Sequence, residues 1–248
     1  MQRAIALLCA IGIAGCAHPL PAEGPAVLSG GAVEPGLHAA LDLYEKQTGI
    51  RAAVTYATTP QIRGRSETNG EKFDVLIVPP GTMEAFARAG RVAPERAVLG
   101  SVGQGVAVRP GAPVPDISSV EALKRALREA DAVVFNRATG GQYIEGMLKK
   151  IGVYGDIERK TTRYASAGEV MDRLLAGRGG EIGFAPIPEI MLYAKKGLRF
   201  VGPLPPEVQQ RSTYVASPTS GERAGAAELV RFLGTPAAKA ALAGGGVE

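Results

Sequence analysis

Val133-Val134-Phe135-Asn136-Arg137-Ala138-Thr139-Gly140-Gly141 is the stretch whose reading decides the fold. An apolar, β-branched run stops at small and hydroxylated residues and passes directly into a helical pattern. Val27-Leu28-Ser29-Gly30-Gly31-Ala32 has the same form, and so does Val54-Thr55-Tyr56-Ala57-Thr58-Thr59-Pro60. Each reads as strand, turn, helix N-terminus. A helix start leaves backbone N–H groups unpaired and carries a partial positive charge. Glycine lets a ligand approach the backbone, and Ser or Thr hydroxyls add donors. Three such turns facing one another would hold an anion without Lys or Arg.

Working outward, strands and helices alternate along the chain. Residues 26–29 read as a buried strand, 35–47 as a helix stopped by Gly49, and 50–56 as a strand. A helix over 60–69 starts with Thr59 as its cap and Pro60 at its first position. Residues 98–108 form a long extended run, and a loop follows at Pro110-Gly111-Ala112-Pro113-Val114-Pro115. In the stretch that opened the reading, Thr139 is the expected cap. Helices are expected over 222–233 and 236–242, with a frayed tail at 243–248. The alternation is that of an α/β chain with largely parallel sheets covered by helices.

The chain's start sets its compartment. Arg3 precedes an uncharged apolar stretch over 4–14 that is too short for a membrane anchor. It ends in Ile13-Ala14-Gly15-Cys16, which resembles the bacterial lipobox. That resemblance implies cleavage before Cys16 and a lipid on its thiol. The expected parts are then a signal peptide over 1–15 and a tether over 16–25. The only cysteines, Cys9 and Cys16, fall in this segment, so the folded part has no disulfide, Cys–metal site or cysteine nucleophile. Removing 1–15 takes away Arg3 alone and lowers the net charge from +4 to +3. Basic residues are dispersed and Trp is absent, which argues against nucleic acid. His18 and His38 make neither a metal site nor a triad. The chain calls for no cofactor.

The order of these motifs carries a resemblance. It runs from the lipobox through Ser29-Gly30-Gly31-Ala32, Tyr56-Ala57-Thr58-Thr59, Phe73-Asp74-Val75-Leu76-Ile77 and Gln104-Gly105-Val106-Ala107-Val108. It continues through Thr139-Gly140-Gly141 and Glu181-Ile182-Gly183-Phe184 to Phe232-Leu233-Gly234-Thr235-Pro236-Ala237-Ala238. Together this resembles the molybdate-binding branch of the type II periplasmic solute-binding proteins. The resemblance implies two α/β lobes, with two mixed sheets flanked by helices and joined by two hinge strands. The lobes would be 26–106 with the returning 213–248, and 107–212. It further implies a monomeric receptor that captures a small oxyanion between the lobes for an ABC permease.

The resemblance places a first-turn serine on or beside Ala32, three residues after Ser29, and a second-turn serine on Thr59, next to Thr58; Gly30 and Gly31 are contacts read from the turn itself. In the other lobe it places a backbone donor on Gly140, between Thr139 and Gly141, and another near Gly168 at a later helix start. A tyrosine expected just after Phe184 is missing, and Ala185-Pro186 stands there. Arg137, in the turn itself, offers a guanidinium suited to a carboxylate or phosphate. These departures open the ligand to a small organic or phosphate-like anion, and the role to a sensory module for a membrane kinase or chemoreceptor. An enzyme using Glu145 or Glu169 with Asp74 lacks any supporting nucleophile–base spacing. Asp74 reads instead as a structural hydrogen-bonding group. Tyr143 and Tyr154 read as core.

Overall fold

The computed structural model describes residues 22–68, 72–221 and 225–248. The expected signal peptide and Cys16 lie outside the described residues. In the first half, β1 (Ala22–Gly30), β2 (Ile50–Ala57) and β3 (Val75–Val78) alternate with α1 (Glu34–Thr48), α2 (Thr59–Thr68) and α3 (Pro80–Arg88). Then β4 (Ala97–Val108) leads to α4 (Val120–Glu129), β5 (Ala132–Asn136), α5 (Thr139–Lys150) and α6 (Tyr154–Ile157). The second half continues with β6 (Thr161–Tyr164), α7 (Ala167–Ala176), β7 (Glu181–Pro186), α8 (Ile187–Ala194) and β8 (Arg199–Pro203). Finally β9 (Arg211–Pro218) returns to the first half, where α9 (Ala226–Leu233) and α10 (Pro236–Gly244) follow.

The strand order is β2-β1-β3-β9-β4-β7-β5-β6, with β8 also on β4. Pairing is parallel for β1 with β2 and β3, and for β5 with β6 and β7. It is antiparallel at β3/β9, β4/β9, β4/β7 and β4/β8. The sheets are therefore mixed rather than largely parallel. The antiparallel pairs are all made by the two long strands that link the halves.

Strand β4 belongs to both sheets. Ala97 to Gly103 pair with β9, and Gln104 to Val108 pair with β7. At the change of partner, Gln104 is held by a side chain acting as a strand. Its N–H donates to Gln209 Oε1 at 2.9 Å, and its carbonyl accepts from Gln209 Nε2 at 2.8 Å.

The continuous apolar runs are explained by burial on both faces. Along β1, Val27 faces α1, α9 and α10 together with Leu37, Leu229 and Leu242, while Leu28 faces the opposite side with Ile62, Met83 and Phe86. In β3, Val75 and Ile77 join the first group and Leu76 and Val78 the second. β5 repeats the arrangement: Val133 and Phe135 pack with Leu127 and Leu148, and Val134 packs with Met171 and Leu174.

Helix ends follow the local signals. Gly49, at φ +71°, closes α1 with its N–H on the Glu45 carbonyl. Ser119, Ser166 and Thr235 cap α4, α7 and α10 through their side-chain oxygens. Asp74 plays its expected structural part, accepting from the Ala26 N–H at 2.8 Å.

Several local expectations are corrected. Residues 22–25, expected in the tether, begin β1, where Ala22 pairs with Ile50. Helix α9 starts at Ala226, and residues 222–224 of the helix expected there lie outside the described residues. The tail is not frayed. Val247 is 2% exposed, and the Glu248 N–H donates to the Ser101 carbonyl at 3.0 Å, docking the chain end along β4. Helix α6, one turn long, carries no readable period.

Candidate functional site

Four strand-to-helix turns open onto one cleft of about 270 Å³ between the halves. They lie at the carboxyl ends of β1, β2, β5 and β6, where open α/β sheets place their ligands. Among the described residues the cleft lining includes no Lys, Arg or His.

The first turn presents Gly30, Gly31 and Ala32, leading into α1 through a short 3-10 turn. Gly30 is required by packing. A Cβ there would lie 2.7 Å from the Tyr214 ring, which covers it from β9. Ser29, by contrast, is fully buried beneath the turn, with its hydroxyl on the Gly30 carbonyl.

The second turn brings Thr58 and Thr59 to the cleft. The cap, however, is Thr58 rather than Thr59, since its carbonyl takes the first helical bond from Ile62 N–H at 2.9 Å. Gln61 Oε1 accepts from both the N–H and the hydroxyl of Thr58, each at 2.9 Å. This is one half of a capping box. Thr59 falls at the first helical position and Pro60 at the second, leaving the Thr59 hydroxyl beside the cleft.

The third turn presents Ala138, Thr139 and Gly140. Its cap residue is Ala138, not Thr139, and Asn136 does the work of a capping side chain. Asn136 Oδ1 accepts from the N–H of Ala138 at 2.9 Å and of Gly141 at 3.2 Å. The first helical bond is Gln142 N–H to the Ala138 carbonyl, so α5 itself offers no acceptor to the N–H of Thr139 or Gly140. Gly141 lies behind the cleft against Asn136, and Arg137 is exposed and off the lining.

The fourth turn adds Ser166, Ala167 and Gly168. Ser166 caps the helix, its Oγ accepting from Glu169 N–H at 3.2 Å, while Glu169 Oε2 reaches back to accept from the N–H of Ala165, the residue before the cap, at 3.1 Å. That leaves the N–H groups of Ala167 and Gly168 without a helical acceptor.

Of the expected residues, the structure thus gathers Gly30, Gly31, Ala32, Thr58, Thr59, Thr139, Gly140 and Gly168. It leaves Ser29, Arg137 and Gly141 behind or outside the cleft, and Cys16 outside the described residues. Glu145 and Glu169 are structural: Glu145 pairs with Lys149 and Arg163.

Sequence reasoning missed the acidic and aromatic wall. Glu34, Tyr56, Glu189 and Tyr214 all line the cleft, from α1, β2, α8 and β9. Pro186 stands where the tyrosine was expected, and the aromatic surface comes from Tyr56 and Tyr214 instead. Asn136 and the Ser166-x-x-Glu169 spacing carried readable signals. Glu189 and Tyr214 carried none, because only the fold brings them beside Gly30 and Gly31.

Glu189 sits in the first turn of α8, where the helix dipole favours a carboxylate. Burial opposes this and prevails: with the Glu34 charge nearby, the Glu189 carboxyl is pushed up to about 8. Burial also raises the phenols of Tyr214 and Tyr56, helped by Glu189 and Glu34 respectively, so both stay protonated donors.

This shift has a stability consequence. A folded carboxyl at about 8 holds a proton that the unfolded chain, at the ordinary 4.5, has lost. Its contribution is full below about pH 4.5 and is lost as pH rises to 8. The slope approaches ~1.4 kcal/mol per pH unit in that window. Urea unfolding of the ligand-free protein at pH 5, 6.5 and 8 should show this fall, and Glu189→Gln should flatten it. Identical profiles for the two proteins would contradict it.

A family model for bacterial extracellular solute-binding proteins matches residues 26–248. The chain belongs to that family. The solute-binding protein shares its fold with the periplasmic molybdate-binding protein of Azotobacter vinelandii (TM-score 0.75, 15% identity, 90% of this chain and 98% of that one). It also shares it with the sulfate-binding protein SubI of Mycobacterium tuberculosis (TM-score 0.72, 17% identity, 91% and 86%). A curated relative, "Aconitate isomerase" from a Pseudomonas species, is 28% identical over 229 residues, covering 90% of this chain and 86% of its own. The family implies a location outside the cytoplasm, a small ligand and an ABC permease as partner.

Proposed function

We propose that this solute-binding protein captures a small polycarboxylate in the cleft and presents it to an ABC permease. The observation that carries the reading is the pairing of four helix N-termini with two acidic side chains, Glu34 and Glu189, in one cleft that no Lys, Arg or His lines among the described residues. A fully ionised tetrahedral oxyanion presents acceptors in every direction and would turn one of them toward the Glu34 side chain. A longer ligand with charged ends and an uncharged middle avoids that repulsion. The volume agrees: 270 Å³ is the share of about nine waters at ~30 Å³ each, more than a five-atom oxyanion fills.

On this reading, 26–106 with 213–248 and 107–212 act as two lobes that close over the ligand about β4 and the chain returning to β9. Closure is favoured because only the closed state satisfies donors from both. Cys16 serves as the lipid anchor of a monomeric receptor.

Thermal unfolding of the leader-free protein against molybdate, tungstate, sulfate, phosphate and di- and tricarboxylates tests this. A carboxylate at 100 times its Kd should add ~2.7 kcal/mol, a rise of roughly 5–10 °C for a chain of this size. A rise with molybdate or tungstate alone would overturn the carboxylate reading and restore the oxyanion one.

A second reading is favoured by the relative's name together with Glu189: the cleft isomerises what it binds. Aconitate is a propene tricarboxylate and falls in the proposed ligand class. Incubation with either geometric isomer, followed by NMR, should yield the other. A ligand that binds and stays unchanged removes this reading and leaves the receptor.

A further inference from the structure

The unabsorbed feature of the cleft is the Glu189 carboxyl. It lines the cavity on the wall made by the first turn, with one oxygen 3.5 Å from where a Cβ on Gly31 would stand. Among the described residues no hydrogen bond or ion pair satisfies it. A carboxyl placed in a ligand cavity without a partner is costly to keep and is the usual mark of a group held for chemistry. The charged and titratable groups around it are Glu34 from α1, Tyr214 from β9 and Tyr193 from its own helix. None is a cation that would fix it as a permanent anion.

Opposite chemistry surrounds it. The N–H groups of Thr139, Gly140, Ala167 and Gly168 lie at helix starts in the same cavity and favour negative charge on a bound carboxylate. This is the arrangement that stabilises an enolate formed from that carboxylate, provided a base stands beside the adjacent carbon.

We infer that Glu189 transfers a proton between two carbons of an allylic carboxylate bound in the cleft, resting on the carboxylate reading above. Ionised Glu189 takes a proton from the CH2 lying between a carboxylate and a C=C bond. The freed C–H pair becomes a double bond to the central carbon. The old π pair moves to the outer carbon and is delocalised into the carboxylate held there, its oxygen charge met by helix N–H groups. Protonated Glu189 then returns the proton to that outer carbon. One C–H bond breaks, one forms, and the double bond moves by one position. No oxidant, reductant or second substrate is consumed.

The raised Glu189 carboxyl, at about 8, suits a group that must both take and give a proton near neutral pH. The charge of Glu34 adds to burial in raising the Glu189 carboxyl.

The test is deuterium exchange in D2O, with cis- and trans-propene-1,2,3-tricarboxylate as probes at saturating concentration, and binding measured separately by calorimetry. The expected result is conversion of each isomer into the other with the wild-type protein, with deuterium entering the CH2 carbon whenever Glu189 exchanges its proton with solvent between the two transfers. Glu189→Gln should slow this ~100-fold or more, and Glu189→Asp should leave a measurable remainder. Thermal unfolding checks that both variants are folded. Binding with neither conversion nor exchange in the wild type overturns the inference and leaves the carboxylate reading standing. Undiminished conversion or exchange in folded Glu189→Gln overturns the assignment to Glu189. Binding of neither probe nor any other carboxylate overturns both.

Discussion

Gly141→Ala is expected to lower the unfolding temperature by ~6–12 °C, the equivalent of about 3 kcal/mol in a chain of this size. The reason is a backbone collision. A Cβ on Gly141 would lie 1.8 Å from the Asn136 carbonyl oxygen and 2.7 Å from Asn136 Oδ1. Neither is the free end of a flexible side chain. One ends β5, and the other is the acceptor that holds the N–H groups of Ala138 and Gly141. The turn must therefore open, and the buried N–H of Gly141 and the part-buried N–H of Ala138 lose their acceptor. Ligand affinity should fall with stability, because the N–H groups of Thr139 and Gly140 are aimed by the same turn. A calorimetric scan of the ligand-free variant measures the first effect. An unfolding temperature within 2 °C of wild type would contradict the packing described here.

Gly140→Pro is expected to separate binding from folding. The N–H at this position has no acceptor within α5, so its removal costs the helix nothing. The protein already starts three helices with proline at the second position: Pro35 in α1, Pro60 in α2 and Pro188 in α8. For an anionic ligand the loss is one hydrogen bond to a charged group, worth about 1.5–3 kcal/mol, or roughly 10- to 100-fold in Kd. Added bulk needs a control, since a Cβ at 140 would approach Gln104 Nε2 at 3.1 Å. Gly140→Ala supplies the same Cβ and keeps the N–H. Its Kd should stay near wild type while that of Gly140→Pro rises. Equal weakening in both would assign the effect to crowding against Gln104 and remove Gly140 N–H from the site.

Much of the fold was legible because it is written in local terms. Runs such as Val75 to Val78 are apolar on both faces, which marks a strand covered on each side. Ser119, Gly49 and Thr235 mark helix ends through bonds to residues within a turn. Where boundaries moved, distant pairing decided them. Residues 22–25 became strand because β2 lies alongside them, and the tail was fixed because Ser101 of β4 pairs with Glu248. Neither partner is near in sequence.

The candidate site divides along the same line. Gly30, Gly31, Thr58, Thr59, Thr139 and Gly140 announce themselves because a helix N-terminus preceded by a strand is a short-range pattern. Its local details were harder to assign: Thr58 rather than Thr59 caps α2, and Asn136 substitutes for Thr139 at α5. At α2 the Thr58 carbonyl takes the first helical bond, and at α5 Asn136 Oδ1 holds the N–H groups of Ala138 and Gly141. Arg137 looked suited to an anion by charge alone, yet it follows buried Asn136 and faces solvent instead.

The sequence by itself determined the α/β alternation, three anion-favouring turns and the resemblance to exported solute-binding proteins. All of these depend on periodicity and on backbone groups at helix starts, which neighbouring residues specify. Only the tertiary structure decided the character of the cleft. It brought Glu189 of α8 and Tyr214 of β9 against Gly30, Gly31 and Glu34, across more than 150 positions of chain. Burial at that junction is a property of the packed halves, and it is burial that keeps the Glu189 proton in place near neutral pH.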